Sequence, residues 1–165
     1  MFQKLRSDLV KELNPIRLLL VNANGFSLNG VGPSLNHGLN GNQIELLRDS
    51  GVECVAFSGA KSEEISSVAE NLGIELHEAV SEIKSFYAKT KSELSLSDHE
   101  IAFICRDYTD LPIMKNITFT AVTPDAPLAV KSESYYAAYG IGSHAVREIA
   151  SLILKSKRYP NGWSE

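Results

Sequence analysis

The sequence predicts a three-layer α/β fold built on a mostly parallel sheet. Short apolar runs alternate with segments of helical periodicity, at intervals too long for hairpins, which is the pattern of right-handed crossovers. The run 101–105 carries no charge and the run 16–21 carries only Arg17, as expected of strands buried on both faces. At 165 residues the chain has the length of one domain with room for a real core. The expected organisation is a single domain over 1–165, with its core at about 16–155, an N-terminal helix at 2–13 and a C-terminal tail at 157–165.

Each element has its own signal. Phe2, Leu5, Leu9 and Leu13 recur at helical spacing and stop before Asn14-Pro15. The strand 16–21 runs into a stretch, 22–42, rich in Asn and Gly, where Asn24-Gly25, Asn29-Gly30 and Asn40-Gly41 are turn signals. Residues 43–49 predict a helix stopped at Gly51, and 52–57 a strand. Ser62 is a capping residue for a helix that reaches Leu72, with Gly73 as its stop. A weak strand follows at 74–77. A helix is predicted at 81–94, with Ile83, Phe86, Tyr87 and Leu94 near one face. After strand 101–105, Asp110 or Leu111 opens a short helix that tolerates Pro112 in its first turn. Residues 119–122 predict a strand and 144–156 the last helix, with Val146, Ile149, Ala150 and Ile153 on one side.

Composition narrows the function classes. Hydrophobic residues make up 44% and charged residues 22%, which excludes a disordered chain. A net charge of -4 argues against a nucleic-acid partner bound by broad charge neutralisation. No apolar run approaches the ~20 residues of a membrane span, and the N-terminus is charged throughout, unlike a secretion signal. The expectation is a cytoplasmic protein with no membrane and no nucleic acid as partner. Cys54 and Cys105 lie in apolar runs and read as packed free thiols, since burial raises a thiol's pKa. His37, His77, His99 and His144 lack metal-ligand spacing and read as surface or loop residues.

In a parallel sheet, ligands bind beyond the carboxyl ends of the strands. The segments to inspect are therefore 22–25, 58–61, 77–84 and 106–110. The first strand runs into Asn22-Ala23-Asn24-Gly25, followed by Asn29-Gly30. The second ends in Ser58-Gly59-Ala60-Lys61-Ser62. The strand 101–105 leads into Arg106-Asp107-Tyr108-Thr109-Asp110-Leu111-Pro112-Ile113-Met114, and the last helix opens with Ala145-Val146-Arg147-Glu148. In this order the chain resembles the haloacid dehalogenase (HAD) phosphatases, whose fold is Rossmann-like. More narrowly, it is similar to the capless 3-deoxy-manno-octulosonate 8-phosphate (KDO 8-phosphate) phosphatases and to the HAD-like domain of acylneuraminate cytidylyltransferases. The resemblance spans 16 to about 155.

The resemblance implies a nucleophilic aspartate and an acid–base aspartate where Asn22 and Asn24 stand. A carboxamide offers no anionic oxygen and shuttles no proton near neutral pH. It further implies a magnesium-binding aspartate at Arg106, a phosphate-holding lysine at Ile83 with Lys84 adjacent, a threonine at Ser58, and a substrate arginine in the loop that here reads Ile141-Gly142-Ser143-His144. Like unit charges ~4 Å apart repel by ~4 kcal/mol at an effective dielectric of about 20, so the sequence predicts that Arg106 excludes magnesium and that the protein has no cofactor. It also predicts an ion pair from Arg106 to Asp107 or Asp110, which leaves room for the guanidinium to grip an anion as well.

The expectation is a catalytically degenerate relative, with no catalytic residues and with Asn22, Asn24, Gly25, Ser58, Gly59, Lys84, Arg106, Asp107 and Asp110 as ligand-binding candidates. It would take an anionic small molecule or a protein partner without hydrolysis. The alternatives are an active phosphatase of KDO or sialic-acid-type sugar phosphates and a structural subunit of a surface-sugar assembly. The family's tetramer-building β-hairpin has only nine residues between Gly30 and Asn40 to form from, so a monomer or another dimer is expected. Tyr135, Tyr136 and Tyr139 read as edge-strand packing or as an interface, and Trp163 as part of a tail.

Overall fold

A computed structural model describes residues 7–27 and 43–158. The strands are β1 (Leu18–Asn22), β2 (Glu53–Phe57), β3 (Glu75–His77), β4 (Ile101–Cys105), β5 (Phe119–Val122) and β6 (Tyr136–Ala137). The helices are α1 (Ser7–Leu13), α2 (Gln43–Asp49), α3 (Glu63–Leu72), α4 (Ile83–Leu94), α5 (Leu111–Met114), α6 (Leu128–Ser132) and α7 (Ser143–Arg158). The strands form one sheet in the order β3-β2-β1-β4-β5-β6, and every pairing is parallel.

Side-chain alternation along the strands explains why their runs are apolar throughout. Leu19 and Val21 of β1, with Ala102 and Ile104 of β4, face a core shared with α1, α2, α3 and α7. Leu18 and Leu20, with Ile101, Phe103 and Cys105, face a second core under α4, α5 and α6. Both faces of the central strands are covered, so neither set can be polar. Full burial of one such side chain stabilises the fold by roughly 1.5–3 kcal/mol.

Most elements match the expectation within a residue or two. The helix expected at 2–13 is described from Ser7, and the tail from residue 159, with Trp163, lies outside the described residues, as do His37 and the 31–39 segment. Two short elements, α6 and a 3₁₀ turn at Asp98–Glu100, carried no usable sequence signal, and β6 was signalled only by Tyr135 and Tyr136 reading as edge-strand packing. Tyr136 sits in the edge strand β6 and its ring stacks on Phe119 at 6.0 Å. His144, expected on the surface or in a loop, is buried in the first turn of α7. Helix α7 packs along α1 and α2.

Helix α3 shows local rules acting in full. The Ser62 side chain accepts the Ile65 N–H at 3.2 Å, and Gly73 closes the helix at φ 78° while its N–H bonds the carbonyls of Ala69 and Glu70. Ser62→Ala should lower stability in urea unfolding by about 1 kcal/mol. Gly73→Ala should cost a similar amount, roughly 1–2 kcal/mol, because a Cβ is strained in the left-handed region.

Candidate functional site

The carboxyl ends of β1, β2, β4 and β5 converge on one crevice, and the turns leaving them supply its side chains. Asn22 is the last residue of β1 and is buried. Its Oδ1 accepts the Asn24 N–H at 2.9 Å, which shapes the turn, and the Phe26 N–H to Ala23 carbonyl bond at 3.0 Å closes it. The Asn22 Nδ2 group donates to both oxygens of Asp110 at 2.9 Å and to Asp107 Oδ2 at 3.1 Å. Asn24 bridges two loops: Nδ2 donates to Asp107 Oδ2 at 2.8 Å, and Oδ1 accepts the Gly59 N–H at 2.9 Å.

Asp110 is fully buried. Besides the Asn22 amide, its Oδ2 accepts the backbone N–H groups of Arg106 at 2.7 Å and Asp107 at 2.9 Å. Burial nevertheless outweighs these donors, and with the nearby Asp107 charge it pushes the Asp110 carboxyl from 3.8 up to about 6.

The expected ion pair from Arg106 to Asp107 is present, but it is the longer of two. The Arg106 guanidinium reaches Asp125 Oδ2 at 2.9 Å and touches Asp107 Oδ1 only at 3.5 Å. Asp110 meets the Arg106 backbone instead. Asp125, in the Thr123-Pro124-Asp125 turn after β5, is a site residue that the sequence reading missed, although a carboxylate just beyond an apolar strand was a usable signal. Burial raises the Asp125 carboxyl, but the Thr123 hydroxyl, donating at 2.7 Å, and the Arg106 charge outweigh it and hold the group below the ordinary carboxylate value. The guanidinium lies over Gly25, where an added Cβ would fall 2.0 Å from Arg106 Nε. Any larger residue at 25 would displace the guanidinium, the free end of a flexible side chain, from this position.

The remaining candidates divide. Ser58 is buried and its hydroxyl donates to the Ala60 carbonyl at 2.8 Å, so it braces its own loop while Gly59 joins the crevice through its N–H. Lys84 is not brought to the crevice. It lines a groove between α4 and α5, and Ile83 packs against the core beside it. Ser143 is buried at the start of α7. The loop before it does approach the crevice, since a Cβ on Gly142 would lie 3.5 Å from the Gly25 carbonyl oxygen. Cys54 and Cys105 are buried free thiols; burial pushes Cys54 up to about 12 and raises Cys105 as well.

An all-parallel sheet with helices on both faces, and no cap among the described residues, match the Rossmann-like HAD fold. Within that class the chain is similar to the KDO 8-phosphate phosphatases. It is 24% identical over 161 residues to the 3-deoxy-D-manno-octulosonate 8-phosphate phosphatase KdsC of Escherichia coli K12, covering 90% of this chain and 84% of that protein. The crystal structure of the phosphatase from Yersinia pestis superposes with a TM-score of 0.77 at 22% identity, over 96% of this chain and 91% of that one. No family model matches the sequence.

These relatives correct one expectation. The phosphatase of Haemophilus influenzae has a cobalt-bound form, at a TM-score of 0.73 and 21% identity over 89% of this chain and 92% of that one. The phosphatase of Moraxella catarrhalis is seen with magnesium, phosphate and KDO, at a TM-score of 0.77 and 21% identity over 93% of this chain and 94% of that one. The expectation of no cofactor, with magnesium absent, therefore does not stand. Its physical error lies in the position of a charge. The repulsion argument put the Arg106 guanidinium in the place of a metal, whereas it lies over Gly25 with its charge compensated by Asp125 and Asp107. Asp107 and Asp110 carry hard oxygen donors of the kind magnesium prefers, while the Asn22 and Asn24 oxygens are turned to the N–H groups of Asn24 and Gly59, and among the described residues no three His, Cys, Asp or Glu side chains are grouped to hold an ion.

Asp110 also sets a pH dependence. Its folded value, about 6, lies above the unfolded 3.8, so the folded state retains a proton that the unfolded chain has released. The sign follows: its stabilising contribution is full below 3.8 and is lost as pH rises through about 6. Relative to Asp110→Asn, the parent protein should lose up to about 3 kcal/mol of stability on going from acid to neutral pH, at 1.36 kcal/mol per pKa unit. Urea titrations of both proteins across that range measure it.

Proposed function

We propose that this chain is a non-hydrolytic relative of the KDO 8-phosphate phosphatases, a cytoplasmic protein that holds an anionic ligand, a sugar acid or its phosphate, or a protein partner, at the crevice beyond β1 and β4. One observation supports this above all. At the two positions where the resemblance calls for a nucleophile and an acid–base group, Asn22 and Asn24 present amide nitrogens that donate to Asp107 and Asp110. An amide so engaged offers phosphorus no anionic oxygen and carries no transferable proton near neutral pH.

Binding chemistry remains in the crevice. Arg106 brings a guanidinium suited to phosphate or carboxylate. A divalent ion of the kind held by the relatives would draw on Asp107 and Asp110, and when bound it would supply positive charge to an anionic ligand. This chain's own residues orient the rest. Asn24 ties the β1 turn to the β2 turn through Gly59, and Asp125 fixes the direction of Arg106.

The breadth of the likeness favours a second reading, an active phosphatase of sugar-acid phosphates, since it covers 90% of this chain and 84% of the Escherichia coli relative. Turnover separates the two. With magnesium or cobalt supplied, the unmodified protein should release no phosphate above background from KDO 8-phosphate or a generic phosphate ester. Phosphate, or KDO itself, should raise its melting temperature. Metal-dependent release that disappears in Asn22→Ala would establish the phosphatase. Absence of both turnover and ligand stabilisation would leave a structural role.

A further inference from the structure

Acids enclose the Arg106 side chain. Nη2 donates to Asp125 Oδ2 at 2.9 Å, Nη1 faces Asp107 Oδ1 at 3.5 Å, and the Arg106 backbone N–H is held by Asp110. Nε is buried over Gly25 and meets no hydrogen-bond partner among the described residues. A guanidinium presents two forks to an anion, the side edge of Nε and Nη2 and the end edge of Nη1 and Nη2. Burial of Nε closes the first. The second stays within reach of solvent, since the Arg106 and Asp125 side chains are 28% and 32% exposed. Both of its nitrogens nevertheless face a carboxylate already. Nη2 belongs to both forks, and Asp125 sits on it.

We propose that Asp125 is an internal competitor for the ligand: it occupies the end fork of Arg106, and a phosphate or carboxylate binds there by displacing it. This rests on the reading of the crevice as an anion site and says how that site is controlled. Of the two acids on the fork, Asp125 is the one able to yield. Asp107 Oδ2 is tied to the amides of Asn22 at 3.1 Å and Asn24 at 2.8 Å, so moving it would open the crevice. Asp125 has no such ties. Its Oδ1 accepts the Thr123 hydroxyl at 2.7 Å, inside its own turn, so a displaced carboxylate keeps one bond and stays near. The obstacle is also small. A partly exposed ion pair of this kind holds back a competing anion by no more than about fivefold, whereas an anion with two oxygens gains both nitrogens of the fork.

The test is a calorimetric titration of the full protein with inorganic phosphate at constant ionic strength. Asp125→Asn should bind phosphate about fivefold more tightly than the parent, and the gain should vanish when Arg106→Gln is added. Glu53→Gln, at the start of β2 and so at the opposite end of the sheet, should change nothing, which separates the local contact from net charge. A second measurement needs no variant to fold. In the parent, phosphate should shift the Asp125 side-chain carboxyl signal in a carbon-13 NMR spectrum, because that carboxylate loses its guanidinium. The displacement is overturned, with the anion reading intact, if the parent binds phosphate and Asp125→Asn binds it no more tightly. It is equally overturned if the gain survives Arg106→Gln, if Glu53→Gln gains as much, or if the Asp125 signal stays still while phosphate saturates the parent. If neither the parent nor Asp125→Asn binds phosphate, the displacement and the anion reading fall together.

Discussion

The Asp110 carboxylate holds the strand-end crevice together. It is buried between the ends of β1 and β4 and takes hydrogen bonds from the Asn22 amide and from two successive backbone N–H groups, those of Arg106 and Asp107. Those two N–H groups leave a strand that has no further partner there, and an unpaired buried donor costs about 1–3 kcal/mol. The same carboxylate therefore ends β4, shapes the turn into α5 and fixes Asn22. Asn22 in turn sets the Asn24 N–H, and Asn24 reaches across to Gly59. From one buried acid, three loops acquire fixed positions.

The fold was legible because both faces of β1 and β4 are covered. Leu18 through Val21 and Ile101 through Cys105 must then be apolar at every position, and such runs stand out. Ser62 and Gly73 were equally plain, since capping is local chemistry. What escaped the reading depends on neighbours distant in sequence. Strand β6 is two residues long and exists by pairing with β5. His144 reads as a surface or loop residue, yet it is buried in the first turn of α7. In the crevice, the residue types and their convergence could be read, but the pairing could not. Arg106 prefers Asp125, nineteen positions away, to its chain neighbour Asp107.

That pairing also explains why a charge argument made from sequence fails for the metal. Coulomb repulsion is a statement about distance and compensation, and the sequence supplied neither. With the guanidinium over Gly25 and beside two carboxylates, its charge is largely spent on Asp125 and Asp107. The amides raise a separate matter. Asn22 and Asn24 keep the size and shape that the resemblance leads one to expect, yet they act as donors to acids. The crevice thus turns both amide nitrogens toward its acids, and it is on this polarity, independent of metal, that the proposed non-hydrolytic reading rests.

The polarity is open to direct observation through the side-chain amide resonances of Asn22 and Asn24 in a proton–nitrogen NMR spectrum recorded across a pH titration. The account predicts that the Asn22 amide protons exchange slowly with water and shift together with Asp110 as it titrates at about 6. Fast exchange at Asn22, with shifts that do not follow pH, would mean that the amide does not donate to Asp110, and would contradict the account at its centre.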